Sequence, residues 1–105
     1  MGKVFSAQDR QAAFEYIRSV AAECGRIVAL VQIGSGVNGY HDEYSDLDFV
    51  IALDSGESMP EVMEYMHRKI SARYELAFFT QNESRHLQNY ILADLLEIDI
   101  GYGTY

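Results

Sequence analysis

The stretch that decides the fold runs from Val28 to Leu53 and reads VALVQIGSGVNGYHDEYSDLDFVIAL. An apolar segment ends at a glycine-serine step, a polar loop follows, and a second apolar segment carries Asp46 and Asp48 where it begins. Because successive side chains of a strand alternate between its faces, these two aspartates are predicted to share one face. Paired carboxylates repel each other unless a cation lies between them. The stretch therefore predicts two strands and a carboxylate pair that binds a cation.

The composition of the chain predicts one globular domain with an acidic surface. Its 105 residues are enough for a single buried core, and the domain prediction covers residues 1–105, either as a whole protein or as the N-terminal part of a longer one. The formal net charge is −8. A protein that binds phosphate backbones needs a basic face, so this charge argues against nucleic acid as a partner. A nucleotide is instead expected to be held through metal ions and backbone amides.

Cysteine usage and hydropathy bear on the compartment. Cys24 is the single cysteine, so no disulfide can form within the chain, which fits a reducing compartment. The N-terminal residues have neither the apolar stretch nor the cleavage site of a signal peptide, and no segment has the apolar length of a membrane span. These features predict a soluble cytoplasmic domain with no membrane partner.

Hydrophobic periodicity divides the chain into helices and strands. In order, the predicted elements are a helix over 7–24, strands over 27–33 and 47–53, a helix over 59–72, a strand over 74–80, a short helix over 82–90, and a segment over 93–101 that either ends a helix and runs into a strand or is mostly strand. The first strand is continuous and apolar, as expected for a strand buried on both faces. The order α-β-β-α-β-α-β predicts an α/β (α+β) domain with helices flanking a mixed sheet.

Capping residues fix where the two long helices are predicted to begin. Ser6 and Asp9 form one capping box, and Ser58 and Glu61 form another. Pro60 lies in the first turn of the second helix, where its missing N–H is harmless.

A third carboxylate is predicted on the last apolar segment. Asp99 lies between two isoleucines and is the favoured candidate, while Glu97, two residues earlier, would share its strand face. Each part of the pattern has a plainer interpretation when it stands alone. Gly34 and Ser35 would form an ordinary turn, and the acidic residues would line solvent-facing strand ends.

The combined pattern resembles the polymerase-beta-like nucleotidyltransferase superfamily, of the bacterial adenylyltransferase or minimal nucleotidyltransferase type. In that superfamily a Gly-Ser step precedes a strand with paired aspartates by about the interval seen between Ser35 and Asp46. The segment GYHDEYSDLDFVI is similar to bacterial members that adenylylate antibiotics or other proteins. The resemblance covers residues 27–54 closely and Asp99 more loosely.

The resemblance implies a metal-dependent transfer of a nucleoside monophosphate, AMP from ATP, to an acceptor hydroxyl with release of pyrophosphate. It implies that Gly34 and Ser35 hold the β- and γ-phosphates and that Asp46 and Asp48 bind two Mg²⁺ or Mn²⁺ ions. Asp99 would complete the second metal site and help to activate the acceptor. Such ions stabilise both the attacking and the leaving oxygen of an in-line displacement. The acceptor is expected to be a small molecule such as an antibiotic, or a protein side chain.

One departure from the pattern keeps a second function open. Many bacterial relatives carry an arginine just after the Gly-Ser step, where this chain has Gly36, Val37 and Asn38. The alternative is therefore a nucleotidyltransferase fold with weak or degenerate catalysis, which binds nucleotide and acts with a partner protein, like an antitoxin, or as a homodimer. His67 and His86 are predicted to lie on helices and to face solvent.

Overall fold

The structure, a computed structural model, describes residues 4–33 and 47–104. Its elements are helix α1 Ala7–Ala22, strands β1 Ile27–Ile33 and β2 Leu47–Leu53, a 3-10 turn Gly56–Ser58, helix α2 Met59–Arg73, and strands β3 Leu76–Asn82, β4 Leu87–Leu92 and β5 Glu97–Thr104. The predicted strands over 27–33 and 47–53 are confirmed with their bounds. The predicted class, helices against a mixed sheet, is confirmed as well.

The five strands form one sheet in the order β1-β2-β5-β4-β3. β2 and β5 are parallel, whereas the other three neighbouring pairs are antiparallel. The last strand of the chain thus lies at the centre, beside the strand that carries Asp48. This insertion brings two segments that are distant in sequence into direct register.

Both helices pack on one face of this sheet, and alternation along each strand divides its residues between the two faces. The buried side chains of the central strands point toward the helices: Leu47, Phe49, Ile51 and Leu53 of β2, and Ile98, Ile100 and Tyr102 of β5. The helices contribute apolar stripes to the same core, with Ala13, Ile17 and Val20 from α1 and Val62, Met63, Met66 and Ile70 from α2. The opposite face, which we call the open face, is only partly buried in the described part of the chain.

The prediction that the first strand is buried on both faces is wrong. β1 lies at an edge of the sheet, and the exposed fractions of Val28, Val31 and Ile33 are 49%, 50% and 45%. An apolar run indicates that a strand forms, but the same run occurs in central strands and in edge strands. Only the order of the strands decides how much of the run is covered.

The predicted short helix over 82–90 is also wrong. The side-chain Oδ1 of Asn82 accepts hydrogen bonds from Ser84 Oγ at 2.9 Å and from the Arg85 backbone N at 3.1 Å. The bond from the Arg85 N is of the kind that caps a helix, but here it closes the turn between β3 and β4. His86, with φ of 56°, completes the reversal. The segment over 93–101, left open between helix and strand, contains the start of β5.

The capping predictions have different outcomes at the two helices. At α1 the capping box is confirmed, since Ser6 Oγ accepts from the Asp9 N at 3.1 Å and Asp9 Oδ2 accepts from the Ser6 N at 2.9 Å. At α2 it is wrong, because the 3-10 turn leads directly into the helix and gives Ser58 helical backbone angles. The Ser58 hydroxyl donates instead to Asp54 Oδ1 at 2.9 Å.

Among the helices that the structure describes, none combines the length and the apolar character that crossing a membrane requires.

Candidate active site

Asp48 and Asp99 lie side by side on the open face. They are direct partners in the parallel register of β2 and β5, and both side chains are half-buried. Neighbouring strands are about 4.8 Å apart, so the two carboxylates share one small region of the surface. Of the three aspartates predicted to bind metal, the structure brings these two together.

The same register continues across the sheet. Asp99 is opposite Asn89 of β4, and Asn89 is opposite Thr80 of β3. We call these four residues, Asp48, Asp99, Asn89 and Thr80, the polar row. It crosses four neighbouring strands at one level of the open face, because each strand contributes the residue that directly faces its neighbour.

Asn89 is a functional candidate that the sequence analysis missed. Its Nδ2 donates one hydrogen bond to Glu97 Oε2 at 2.7 Å and another to Asp99 Oδ1. Both hydrogens of the amide are therefore used to hold two carboxylates. The available signal was a pair of polar residues, Gln88 and Asn89, in an otherwise apolar segment. The segment was predicted to be helical, so no cross-strand partner could be assigned.

Asp99 and Glu97, the two candidates for the third carboxylate, lie at different positions relative to Asp48. Asp99 is the direct partner of Asp48, whereas Glu97 faces Ile91 one level farther along the sheet. Glu97 still belongs to the cluster, because Asn89 bonds to both carboxylates. The register thus places Asp99 where it can share a cation with Asp48, and Glu97 beside it.

The cluster is electrostatically unfavourable without a cation. Burial raises the pKa of the Asp48 carboxyl, and the charges of Asp99 and Glu97 raise that pKa further. Burial also raises the pKa of the Asp99 carboxyl, against the opposing effect of the Asn89 hydrogen bond. Within residues 4–33 and 47–104, the ion pairs formed by arginine involve Glu15, Asp54 and Glu61, and none reaches this cluster.

These residues fit a divalent cation. Hard carboxylate oxygens from adjacent strands face one another, and their mutual repulsion would be relieved by a positive charge. The described residues do not include a group of three side chains with the geometry of a metal site. Asp48 and Asp99 are two of the three carboxylates predicted to bind metal, and the third, Asp46, lies outside the described residues.

A cavity adjoins the two aspartates. Its volume is about 370 Å³, and its lining includes Asp48, Asp99, Asn89, Thr80, Asn82 and Leu87. β5 contributes no side chain at Gly101, which lies beneath Leu87; a Cβ added there would approach Leu87 Cδ2 at 3.3 Å. The glycine thus allows the leucine to lie close over β5 at the border of the cavity.

The other predicted site residues, Gly34, Ser35 and Asp46, lie outside the described residues. The departure at Gly36, Val37 and Asn38 lies there too.

The two histidines have different environments. His67 is on α2 but is half-buried, with its ring centroid 4.2 Å from that of Phe79 and its Nδ1 3.3 Å from the Tyr90 hydroxyl, so the solvent-facing prediction is wrong. His86 is exposed as predicted, although it lies in the turn between β3 and β4.

Comparison with known proteins shows a likeness of fold. No protein-family model matches the chain. No curated protein sequence matches it either. A solved structure of the Cid1 poly(U) polymerase with MgGTP bound matches 96% of this chain and 34% of its own, at 19% identity and a TM-score of 0.72. The terminal uridylyl transferase 4 from Trypanosoma brucei with bound CTP matches 96% of this chain and 32% of its own, at 19% identity and a TM-score of 0.62.

A cytoplasmic RNA terminal U-transferase matches in the same way, at 18% identity and a TM-score of 0.69. The chain spans about a third of the length of these solved structures. Their likeness confirms the predicted nucleotidyltransferase fold over nearly all of this chain.

Proposed function

We propose that this chain is the catalytic core of a metal-dependent nucleotidyltransferase. It transfers a nucleoside monophosphate from a nucleoside triphosphate to an acceptor hydroxyl and releases pyrophosphate. The observation that carries the proposal is the direct register of Asp48 with Asp99 on the open face of a nucleotidyltransferase fold. Two like charges held together without a described cationic neighbour are typical of a site that binds cations.

Asp48 and Asp99, together with Asp46, would hold the Mg²⁺ or Mn²⁺ ions. When bound, such ions neutralise the triphosphate and stabilise charge on the attacking and leaving oxygens. The protein's own contribution is positioning. Asn89 holds the Asp99 carboxylate from the side away from β2, and the rigid sheet fixes its distance from Asp48.

The proposed donor is ATP, with Gly34 and Ser35 binding its terminal phosphates. The similar solved structures hold GTP, 3'-dATP or ATP with magnesium, or CTP, which supports a nucleoside triphosphate as the donor class. ATP itself is a proposal based on the resemblance of residues 27–54 to bacterial adenylyltransferases.

A second candidate is a nucleotide-binding module with weak or degenerate catalysis that acts with a partner. The observation in its favour is the sequence Gly36-Val37-Asn38, which offers no cation where many bacterial relatives carry an arginine. The two candidates share metal-dependent nucleotide binding and differ in turnover.

The test is the thermal stability of the chain with Mg²⁺ or Mn²⁺ and a non-hydrolysable ATP analogue. A ligand that binds only the native state at 100 times its Kd stabilises it by about 2.7 kcal/mol, which is a rise in Tm of roughly 10–20 °C. We expect a rise that requires metal and nucleotide together. Asp48→Asn should abolish it, whereas Glu57→Gln, which removes an exposed negative charge elsewhere, should preserve it.

Two outcomes would contradict the proposal. The first is the absence of any metal-dependent shift at millimolar nucleotide, which would exclude both candidates. The second is an unchanged shift in Asp48→Asn, which would place the nucleotide elsewhere. With binding established, release of pyrophosphate in the presence of an acceptor distinguishes the transferase from the binding module.

A further inference from the structure

A second cavity lies on the helix-covered side of the sheet, opposite the polar row. It is bordered by the N-terminal half of α2 and the tip of the β3–β4 hairpin, and we call it the hairpin cavity. Its lining includes Met63, Glu64, His67, Gln81, Glu83 and His86. Its volume is about 440 Å³, within the range of small-molecule sites, roughly 300–1,000 Å³. It shares no lining residue with the cavity beside Asp48 and Asp99, so it is a separate candidate site.

The floor of the hairpin cavity is apolar and fixed in position. Met59 and Met63 form it, and both are buried, with exposed fractions of 7% and 4%. The side-chain Nε2 of Gln88 donates to the Met63 backbone O at 2.9 Å and to Gln81 Oε1 at 2.9 Å. These two bonds join α2 to β3 through β4, so both walls of the cavity belong to the packed fold. Methionine side chains adapt to ligands of different shape, which suits a compact apolar body.

The rim of the hairpin cavity carries two carboxylates. Glu64 on α2 and Glu83 in the hairpin turn are both exposed, and Gln81 Nε2 donates to Glu83 Oε2 at 3.5 Å. Within residues 4–33 and 47–104, no lysine or arginine lines the cavity or forms an ion pair with either glutamate. The two charges outweigh the positive end of the α2 dipole, which is equivalent to about half a charge. The rim therefore favours a cationic ligand and disfavours a phosphate.

Two imidazoles complete the polar lining, and a neutral imidazole has one nitrogen that accepts a hydrogen bond. The orientation of the His67 ring is set by its contacts with Phe79 and the Tyr90 hydroxyl, and its Nε2 has no protein partner among the described residues. His86 has a left-handed backbone, with φ of 56°, which glycine would adopt more readily. The Tyr102 N donates to the His86 O at 3.0 Å and holds this conformation. A histidine thus lies at the cavity where the backbone alone would favour glycine.

A metal ion is the competing ligand for these side chains. They form two Glu-x-x-His pairs, Glu64 with His67 and Glu83 with His86, and this spacing also occurs in metal sites. In the part of the chain that the structure describes, however, no three such side chains have the geometry of a metal site. A cavity of about 440 Å³ is also far larger than one ion needs. An organic ligand accounts for the volume, the apolar floor and the charged rim together.

We propose that the hairpin cavity binds a small organic cation, an ammonium or guanidinium group on a compact apolar body. The cation pairs with the carboxylates of Glu64 and Glu83, and an imidazole nitrogen accepts one of its hydrogens. The apolar body packs on Met59 and Met63. This inference is independent of the proposed transferase function, because none of these residues belongs to the polar row or to the predicted metal ligands.

The test compares three probes of similar shape on the isotope-labelled chain: 2-phenylethylamine as the cation, 2-phenylethanol as the neutral analogue and 3-phenylpropionate as the anion. The backbone amide signals of Met63, Gln81 and His86 are followed by NMR at neutral pH. We expect the amine to shift all three signals at millimolar concentration. The alcohol should bind at least fivefold more weakly, and the carboxylate should cause no shift. Zn²⁺ is titrated separately to test for a metal site.

A double variant, Glu64→Gln with Glu83→Gln, removes both rim charges and keeps the size of the side chains. We expect its affinity for the amine to fall about fivefold or more, since each exposed ion pair contributes roughly two- to fivefold. Glu23→Gln with Glu75→Gln is the matched control, because both glutamates are exposed and lie outside the cavity lining. It removes the same total charge and should leave the affinity within about twofold of the unmodified chain.

The proposal is overturned if the alcohol or the carboxylate binds as tightly as the amine, or if no probe shifts the three signals. A shift by Zn²⁺ alone overturns it in favour of a metal site. Equal losses of amine affinity in the rim and control variants overturn it as well, since the effect would then be one of overall charge. None of these readouts involves metal-dependent nucleotide binding, so failure of the proposed function leaves them unchanged.

Discussion

At the scale of single residues, the site is built around charges that oppose folding. Asp48 and Asp99 are half-buried, and burial raises the pKa of each carboxyl. A carboxyl whose pKa is higher in the folded state than in the unfolded state binds its proton more tightly when the chain is folded. Stability from such a group is present at low pH and is lost as the pH rises through the folded-state pKa. At neutral pH the ionised pair therefore costs stability.

Asp48→Asn should consequently stabilise the metal-free chain at pH 7, with a rise in Tm of about 2–4 °C. The advantage should shrink toward zero as the pH is lowered, because the carboxyl of the unmodified chain then becomes protonated and neutral as well. Thermal unfolding of both proteins between pH 7 and pH 4 measures this difference. A variant that is less stable than the unmodified chain at pH 7 would show that the carboxylate has a structural role.

Asn89 shows how a neutral side chain can orient a carboxylate. One amide group bonds to two carboxylates and so orients the one that faces Asp48. The presence of an asparagine in a strand does not by itself predict a function. The role of Asn89 depends on which residues lie opposite it, and that depends on strand pairing, which the sequence does not show directly.

At the scale of secondary-structure elements, local hydrogen bonding decides where α1 begins. Ser6→Ala removes the hydroxyl that accepts from the Asp9 N and should lower the free energy of unfolding by about 1 kcal/mol. Ser6→Thr keeps the hydroxyl and should recover most of that stability. Urea denaturation at fixed pH measures both variants. Equal stability of the alanine and threonine variants would mean that the cap does not contribute.

The β3–β4 hairpin lies where local sequence signals predicted a short helix over 82–90. The Asn82 side chain accepts from the backbone N of Arg85, three positions later, as a helix cap does. The segment that follows could continue as a helix or reverse as a strand. Pairing of β4 with both β3 and β5 decides between these, and those partners come from other parts of the chain.

At the scale of the whole molecule, the described residues form two layers, with helices on one face of the sheet. Adjacent residues of β2 therefore have very different environments: Ile51 is fully buried, whereas the exposed fraction of Val50 is 38%. Ile51→Ala should lower the free energy of unfolding by about 2–5 kcal/mol, as expected for a buried isoleucine. Val50→Ala should cost less than about 1 kcal/mol. Chemical denaturation of the two variants tests which face carries the core.

Comparable losses for the two substitutions would contradict the two-layer arrangement. They would show that a further part of the protein, or a second molecule, covers the open face in solution. The comparison is direct, because the two residues are neighbours on the same strand.

The sequence by itself determined the elements that depend on local patterns. Hydrophobic periodicity predicted the strands over 27–33 and 47–53 and the class of fold, helices against a mixed sheet. Side-chain hydrogen bonding predicted the capping box at Ser6. Through its resemblance to a known pattern the sequence also grouped Asp48 and Asp99 as predicted metal ligands, and that role stays a prediction. Gly34, Ser35 and Asp46 lie outside the described residues, so their roles stay predictions.

Only the tertiary structure decided how these elements meet. Insertion of β5 between β2 and β4 places Asp99 opposite Asp48 and Asn89 opposite Asp99. It also leaves β1 at an edge, and the described helices cover only one face of the sheet. The physical reason is that strand order is fixed by long-range pairing and by burial of one shared core, whereas sequence periodicity reports the alternation of each strand alone.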